Sequence, residues 1–308
     1  MGPGRGRVPV PACAFLPMLP YGAWHGSRSG SRGGEPDGVG RPMRGARGGR
    51  GTRPDPAAVL PRAGIRVGTS GWSYPHWRGV FYPPEMPASR WLAYYQGRLD
   101  TVELNNSFYR LPERSTFAAW GREAPEGFVF AVKANRYITH LRKLREPERP
   151  LARLLANARA LGSHLGPVLF QLPPRWRCDP ARLAAFLEAL PEGLACAMEF
   201  RDPDWWREEV YALLRRHAVA WCIFDLGGTL SPLEVTAPLV YVRLHGPDGP
   251  YAGSYGGRAL AAWARRILAW RAAGRQVWCY FDNDQAGHAV RNALALRRRL
   301  AEALAGRG

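Results

Sequence analysis

Residues 195–206, ACAMEFRDPDWW, decide the fold. The first half reads as a short buried strand, because side chains on a strand alternate between faces. Cys196, Met198 and Phe200 then share one apolar face, and Ala197, Glu199 and Arg201 share the other. Two opposite charges on one face of a buried strand are costly unless they are paired or used. Asp202-Pro203-Asp204 ends the strand, and Trp205-Trp206 open the next segment. The same design recurs along the chain. An apolar strand carries ionisable residues on its inner face near its C-terminal end, and a Gly, Pro and aromatic loop comes after it.

Working outward, the recurrence predicts strands at 65–69, 101–105, 128–133, 167–171, within 195–201, and at 220–225, 239–245 and 276–281. Helices are expected near 88–96, 115–123, 151–161, 180–190, 207–216, 258–272 and 286–303. The loop LGGTLSPLEVTAP stands between the sixth and seventh strands. Strands alternating with helices make an α/β protein with a parallel sheet. Eight such units in about 250 residues match a closed (β/α)8 TIM barrel, here over residues 63–308. A doubly wound open sheet is the alternative. It would open on a phosphate fingerprint such as G-x-G-x-x-G, which Gly68-Thr69-Ser70-Gly71 does not supply. The chain also has no Walker loop and no H-E-x-x-H.

Residues 1–62 are of another kind. They are rich in Gly, Pro, Arg and Ser, with ten Arg against Glu35, Asp37 and Asp55. Such a segment buries too little to offset its chain entropy, so it reads as a disordered basic tail ahead of the barrel. The whole chain has a formal net charge of +18 over 308 residues. That charge attracts polyanions without specificity, and nucleic acid is one partner it would suit. The five cysteines are odd in number and form no C-x-x-C pair, so neither a zinc site nor a disulfide framework is indicated. Cys196, Cys222 and Cys279 fall on apolar strand positions, as small hydrophobes do. No apolar run reaches the roughly 20 residues of a spanning helix. The apolar stretch 8–19 is broken by Pro9, Pro11 and Pro17 and is a poor signal peptide. A cytoplasmic protein without a membrane segment is expected.

Placing the more apolar face of each strand outward leaves a polar inner set. It comprises Glu103 and Asn105 on the second strand, Lys133 on the third and Gln171 on the fourth. It continues with Glu199 and Arg201 on the fifth, Asp225 on the sixth, Arg243 and His245 on the seventh, and Asp282 after the eighth. In this fold the C-terminal strand ends form the catalytic face. Two uses suit a ring of mixed sign. In the first, Lys133, Arg201 and Arg243 grip the phosphate or carboxylate of a small molecule. Glu103, Glu199, Asp225 and His245 then serve as acid and base. In the second, the carboxylates and His245 hold a divalent metal, against which the interleaved cations argue. No other cofactor is read from the sequence. Tyr109, Tyr251 and His140 lie on loops beside charged strand ends and join the candidate substrate-binding residues.

These residues carry a resemblance. GTSGWSYPHWRGVFYP at 68–83, VELNNSFYRLP at 102–112, FAVKANRYITH at 130–140, LFQLPP at 169–174, EFRDPDW at 199–205, YVRLHGPDGPY at 241–251 and YFDNDQAGHAVRNA at 280–293 succeed one another in order. Together they resemble the YecE-like family of TIM-barrel proteins, a domain of unknown function (family 72). FDND at 281–284 departs from the family's pattern, with Asp282 where an amide is expected. The resemblance implies the barrel. Similarity to barrel nucleases of the endonuclease IV type has been suggested for the family, which would imply a metal-dependent phosphodiesterase acting on nucleic acid. Those enzymes use a dense set of His and carboxylate ligands, whereas this mouth offers His245 and His140. Three functions therefore stand as expectations: an acid–base enzyme for a small anion, a metal-dependent phosphodiesterase, and a non-catalytic nucleic-acid-binding protein.

Overall fold

The computed structural model describes residues 55–306. The expected disordered tail lies outside the described residues over 1–54. The rest of that segment contains a helix, α1 (Pro56–Arg62), which packs on the last helix of the chain and buries Leu60 in the outer core. The barrel unit thus starts ahead of the boundary at residue 62. One buried leucine in so short a helix is too little to register as periodicity.

Eight parallel strands close into a barrel. In chain order the strands are β1 (Ile65–Ser70), β2 (Thr101–Leu104), β3 (Val129–Lys133), β4 (Leu165–Gln171), β5 (Cys196–Glu199), β6 (Ala220–Leu226), the two-residue β7 (Thr229–Leu230), β8 (Leu239–Leu244) and β9 (Gln276–Phe281). Each expected strand is found within a residue or two of its expected ends. Parallel pairing runs from β1 through β2, β3, β4 and β5 to β6, then through β8 and β9 back to β1. The β5–β6 pairs Ala197↔Ala220 and Met198↔Trp221 complete the closure. Helices α2 (Trp91–Gln96), α3 (Asn106–Tyr109), α4 (Arg114–Glu123), α5 (Glu148–Ala158), α6 (Pro180–Glu188), α7 (Glu208–Arg216), α8 (Gly257–Ala272) and α9 (His288–Ala305) come after the strands. Their ends are set locally. Asp179 caps α6 by accepting from the Arg182 amide at 3.1 Å, with Pro180 in the first turn. In α7, Glu208 and Glu209 sit in the first turn and Arg215 and Arg216 in the last, matching the helix dipole.

No helix links β6 to β8. The chain instead turns back through Gly227 and Gly228, both left-handed at φ 56° and 81°, and pairs β7 antiparallel to β6. The segment 231–238 then covers the outer side of β6. Trp221 donates its indole N–H to the Pro232 carbonyl at 3.0 Å, and Thr236 accepts from the Trp221 amide at 2.7 Å.

The alternation of faces produces two cores. Cys196, Met198 and Phe200 point outward into the large core under the helices. The lumen is filled asymmetrically, with Ala131, Ala197, Ala220 and Cys222 along one side and Tyr241, Trp278 and Tyr280 on the other. Small residues leave room for the aromatic ones, so side chains fill the lumen below the C-terminal mouth. Most loop aromatics pack among themselves. Trp72, Trp77, Tyr82 and Trp205 are buried, and Tyr82 stacks on Trp91 at 4.9 Å. Tyr109 and Tyr251, the two loop tyrosines expected near the site, stay exposed. Cys178, Cys196, Cys222 and Cys279 are free thiols, and Cys13 lies outside the described residues. Among the described residues no helix is long and apolar enough to cross a membrane.

Candidate active site at the barrel mouth

Arg243 ends its strand pointing into the lumen, and its side chain is long enough to reach across it. Its Nε and Nη2 form a fork on Glu103 of β2, at 3.0 and 2.7 Å to the two oxygens. Its Nη1 donates to Glu199 of β5 at 2.7 Å, and Nη2 donates to Asp282 beyond β9 at 3.1 Å. Nη2 also donates to the Ser70 hydroxyl at 3.1 Å. Arg243 is 0% exposed. Glu103 is saturated in turn, because Tyr241 donates to it at 2.7 Å and Ser70 donates a short hydrogen bond. Charge-assisted bonds to this many fixed partners hold a guanidinium in one place.

Glu199 takes Arg243 on one oxygen and the Arg201 Nε on the other, at 2.5 Å. Burial alone would raise its proton affinity, but Arg201 and Arg243 outweigh burial and hold the carboxyl well below its ordinary value. Asp282 shows the same contest. Burial raises it, and Arg243 and His245 bring it below the ordinary aspartate value. His245 is buried between these groups. Its Nδ1 lies 3.0 Å from Asp282, and its Nε2 faces Arg243 Nη1 at 3.3 Å and Arg201 Nη2 at 3.5 Å. Nε2 also lies 3.6 Å from Glu199 Oε1, so each ring nitrogen faces a carboxylate. Gly246 comes next at φ +117°, where a Cβ would lie 2.1 Å from the Ala252 carbonyl. That close return brings Tyr251, itself left-handed at φ 64°, edge-on to His245 at 5.6 Å. The Tyr251 hydroxyl accepts from Arg201 at 3.2 Å.

The β3 side is built differently. Lys133 is 8% exposed, with Nζ 4.2 Å from the centre of the Phe108 ring. Among the described residues no carboxylate lies within ion-pair distance of it. Burial, and then repulsion from Arg243, lower its proton affinity to about 8. His140 approaches the same Phe108 ring edge-on at 5.0 Å. Burial, and next the charge of Lys133, push its imidazole down to about 4, so it is neutral at neutral pH. Asn105 donates to Ser70 at 2.6 Å, while its buried Oδ1 has no partner. Gln171 is buried at the end of β4 and donates to the Leu172 carbonyl at 3.2 Å.

Glu103, Glu199, Arg201, Arg243, His245 and Asp282 thus form one connected cluster. Asn105 reaches that cluster through Ser70, and Tyr251 closes over it. Lys133, His140 and Phe108 form a neighbouring group. One expectation needs correction. Asp225 is not on the inner face, because β6 turns Ala220 and Cys222 into the lumen and Trp221 and Ile223 outward. Burial raises Asp225, and its hydrogen-bonding partner is Tyr255, which packs in the outer core. Tyr109 is 55% exposed and packs at 5.1 Å on the Phe108 ring that Lys133 and His140 also meet. Sequence reading missed Ser70 and Tyr241, although Tyr241 has the parity of Arg243 and Ser70 pairs in register with Glu103. It also missed Asp284, which accepts from the Trp77 indole at 2.7 Å and sits 3.1 Å from His76. Burial raises Asp284 to about 6.

Among the described residues no group of three or more His, Cys, Asp or Glu side chains is placed to hold a metal ion. The carboxylates that a divalent cation would need already surround the Arg243 guanidinium.

Fold and site together define a (β/α)8 barrel protein with an ionic cluster at its C-terminal mouth. The family model described as "Protein of unknown function DUF72" matches residues 66–307, and the chain belongs to this family. It is 25% identical to the UPF0759 protein YunF of Bacillus subtilis (strain 168) over 261 residues, which is 74% of this chain and 92% of that protein. Its structure is similar to that of a DUF72 family protein from Thermotoga maritima MSB8, with a TM-score of 0.71 and 27% identity, covering 77% of this chain and 98% of that one. A DUF72 family protein from Enterococcus faecalis V583 shares the fold at a TM-score of 0.67 and 21% identity, covering 77% and 95%.

Proposed function

We propose that the mouth is an active site that takes a small organic anion, a carboxylate or phosphate, and exchanges protons with it. The observation that carries this reading is the contrast between Arg243 and Lys133. Every donor of Arg243 is engaged inside the lumen, so the anion falls to Lys133 and to the outward edge of Arg201. A buried ammonium without a carboxylate is an unfavourable arrangement that a bound anion would relieve. Asn105 Oδ1 and Gln171 supply neutral hydrogen-bonding groups on the neighbouring strand ends. Lys133 and His140, both with lowered proton affinities, are the groups placed to move protons at the mouth. Glu103, Glu199 and His245, read from sequence with Asp225 as the acid–base set, act instead as the frame that fixes Arg243, Arg201 and Asp282.

The test is ligand-dependent thermal stability in the presence of inorganic phosphate, malonate and pyruvate. An anion held at the mouth raises the melting temperature in proportion to the logarithm of its concentration. Lys133→Met should abolish the rise and Lys133→Arg should keep part of it. Equal stabilisation of wild type and Lys133→Met would refute the assignment.

A further inference from the structure

We propose that Lys133 is a covalent nucleophile, which makes the substrate of the mouth a carbonyl compound bearing a carboxylate or phosphate. This rests on the proposed anion site and specifies its substrate class.

The first observation is compositional. The chain has 43 basic residues, and its only lysines are Lys133 and Lys143. A sequence that uses arginine almost everywhere else retains an amine at the one buried inward cation that has no carboxylate partner among the described residues. A guanidinium there would carry the charge but could not lose its proton, whereas an amine can. The second observation is geometric. Lys133 ends a rigid barrel strand, its Nζ lies over the Phe108 ring, and it has no carboxylate among the described residues. A lysine desolvated beside another cation is the arrangement that frees an amine for attack. Burial and Arg243 supply both conditions, and a value of about 8 leaves a useful neutral fraction at neutral pH. The third observation concerns its neighbours. Asn105 and Lys133 directly succeed the paired residues Leu104 and Val132. The open acceptor of Asn105 therefore belongs to the strand end beside the amine.

Neutral Nζ attacks the carbonyl carbon and forms a C–N bond as the C=O π pair moves to oxygen. A proton passes from nitrogen to that oxygen, with neutral His140 as the carrier, to give a carbinolamine. A second proton, from the medium, lets the oxygen leave as water while the nitrogen lone pair forms the iminium. The nitrogen keeps one proton and the positive charge, and nothing is oxidised or reduced. Arg201 holds the substrate's anionic end while Lys133 is neutral.

The experiment is reductive trapping. The full chain is incubated with pyruvate or glyoxylate and sodium borohydride, then read by intact mass and peptide mapping. The expected result with pyruvate is a single addition, the mass of pyruvic acid less one oxygen atom, on Lys133 in wild type and in Lys143→Arg. Lys133→Arg and Lys133→Met should lose it. Addition at Lys143 or the N-terminus alone would overturn the proposal. No adduct, with thermal protection by pyruvate that depends on Lys133, would also overturn it and leave the anion site standing. No adduct and no protection by pyruvate, glyoxylate or phosphate would overturn both.

Discussion

The β8 side and the β3 side of the mouth each bury one cation, and the two are treated in opposite ways. Arg243 meets Glu103, Glu199 and Asp282. Lys133 meets the face of a phenylalanine ring. Both sit on inner faces at strand ends, so position alone does not distinguish them. Partnership does. A charge surrounded by fixed counter-charges holds the barrel's strands in place, and its removal strands its partners. A charge left with a ring face is stored in an unfavourable state, which is how binding and catalytic groups are commonly kept ready.

The largest expected effect tests the partnered side. Arg243→Met removes the cation shared by three buried carboxylates, leaves Glu103 with none, and should destabilise the fold by about 3–5 kcal/mol or prevent folding. Urea midpoints measure this, and a loss under about 1 kcal/mol would erase the contrast. Acid comes next. Glu199 and Asp282 are held below their ordinary values, so the unfolded chain binds more protons as pH falls. The stability they contribute is present above the ordinary carboxylate range and is lost below it, by up to about 1.4 kcal/mol per proton per pH unit. Urea midpoints taken between about pH 6 and pH 3 should fall accordingly.

Lys133 has the opposite sign. Its value is lowered to about 8 from the ordinary 10.5, so the unfolded state binds the extra proton between those limits. Stability should therefore rise with pH through that window. Lys133→Met should remove this rise and raise stability near neutrality. Comparing wild type and variant at about pH 7 and about pH 10 reads both effects. The smallest effect is expected for Tyr251→Phe, which deletes one acceptor for Arg201 on an accessible loop. It should cost about 0.5–1.5 kcal/mol, and a larger loss would place Tyr251 within the frame.

Most of the barrel was legible because strand and helix periods differ, and because strands such as 196–199 write their two faces into alternate letters. The same parity located Glu103, Lys133, Gln171, Glu199, Arg243, His245 and Asp282. It failed on β6. There the lumen needs small residues opposite Tyr241 and Tyr280, so Ala220 and Cys222 face inward and the polar Asp225 faces out. Asp225 is polar for a different reason, its bond to Tyr255. Parity also gives direction around the lumen but not reach. From sequence, Arg243 and Lys133 were equal candidates to grip an anion. Only the span of the arginine across the lumen, from β8 to Glu103 and Glu199, shows that its donors are engaged. Ser70 escaped notice because a hydroxyl is an ordinary residue in a strand, and its role depends on three neighbours that come from other strands.

The most direct measurement is the titration of Lys133 itself. In Lys143→Arg grown with ε-13C-lysine, one lysine resonance remains, and its shift against pH gives the midpoint. The account predicts a midpoint of about 8 that moves upward when inorganic phosphate or malonate is added, because a bound anion favours the ammonium. A midpoint at the ordinary lysine value, unmoved by either anion, would contradict it.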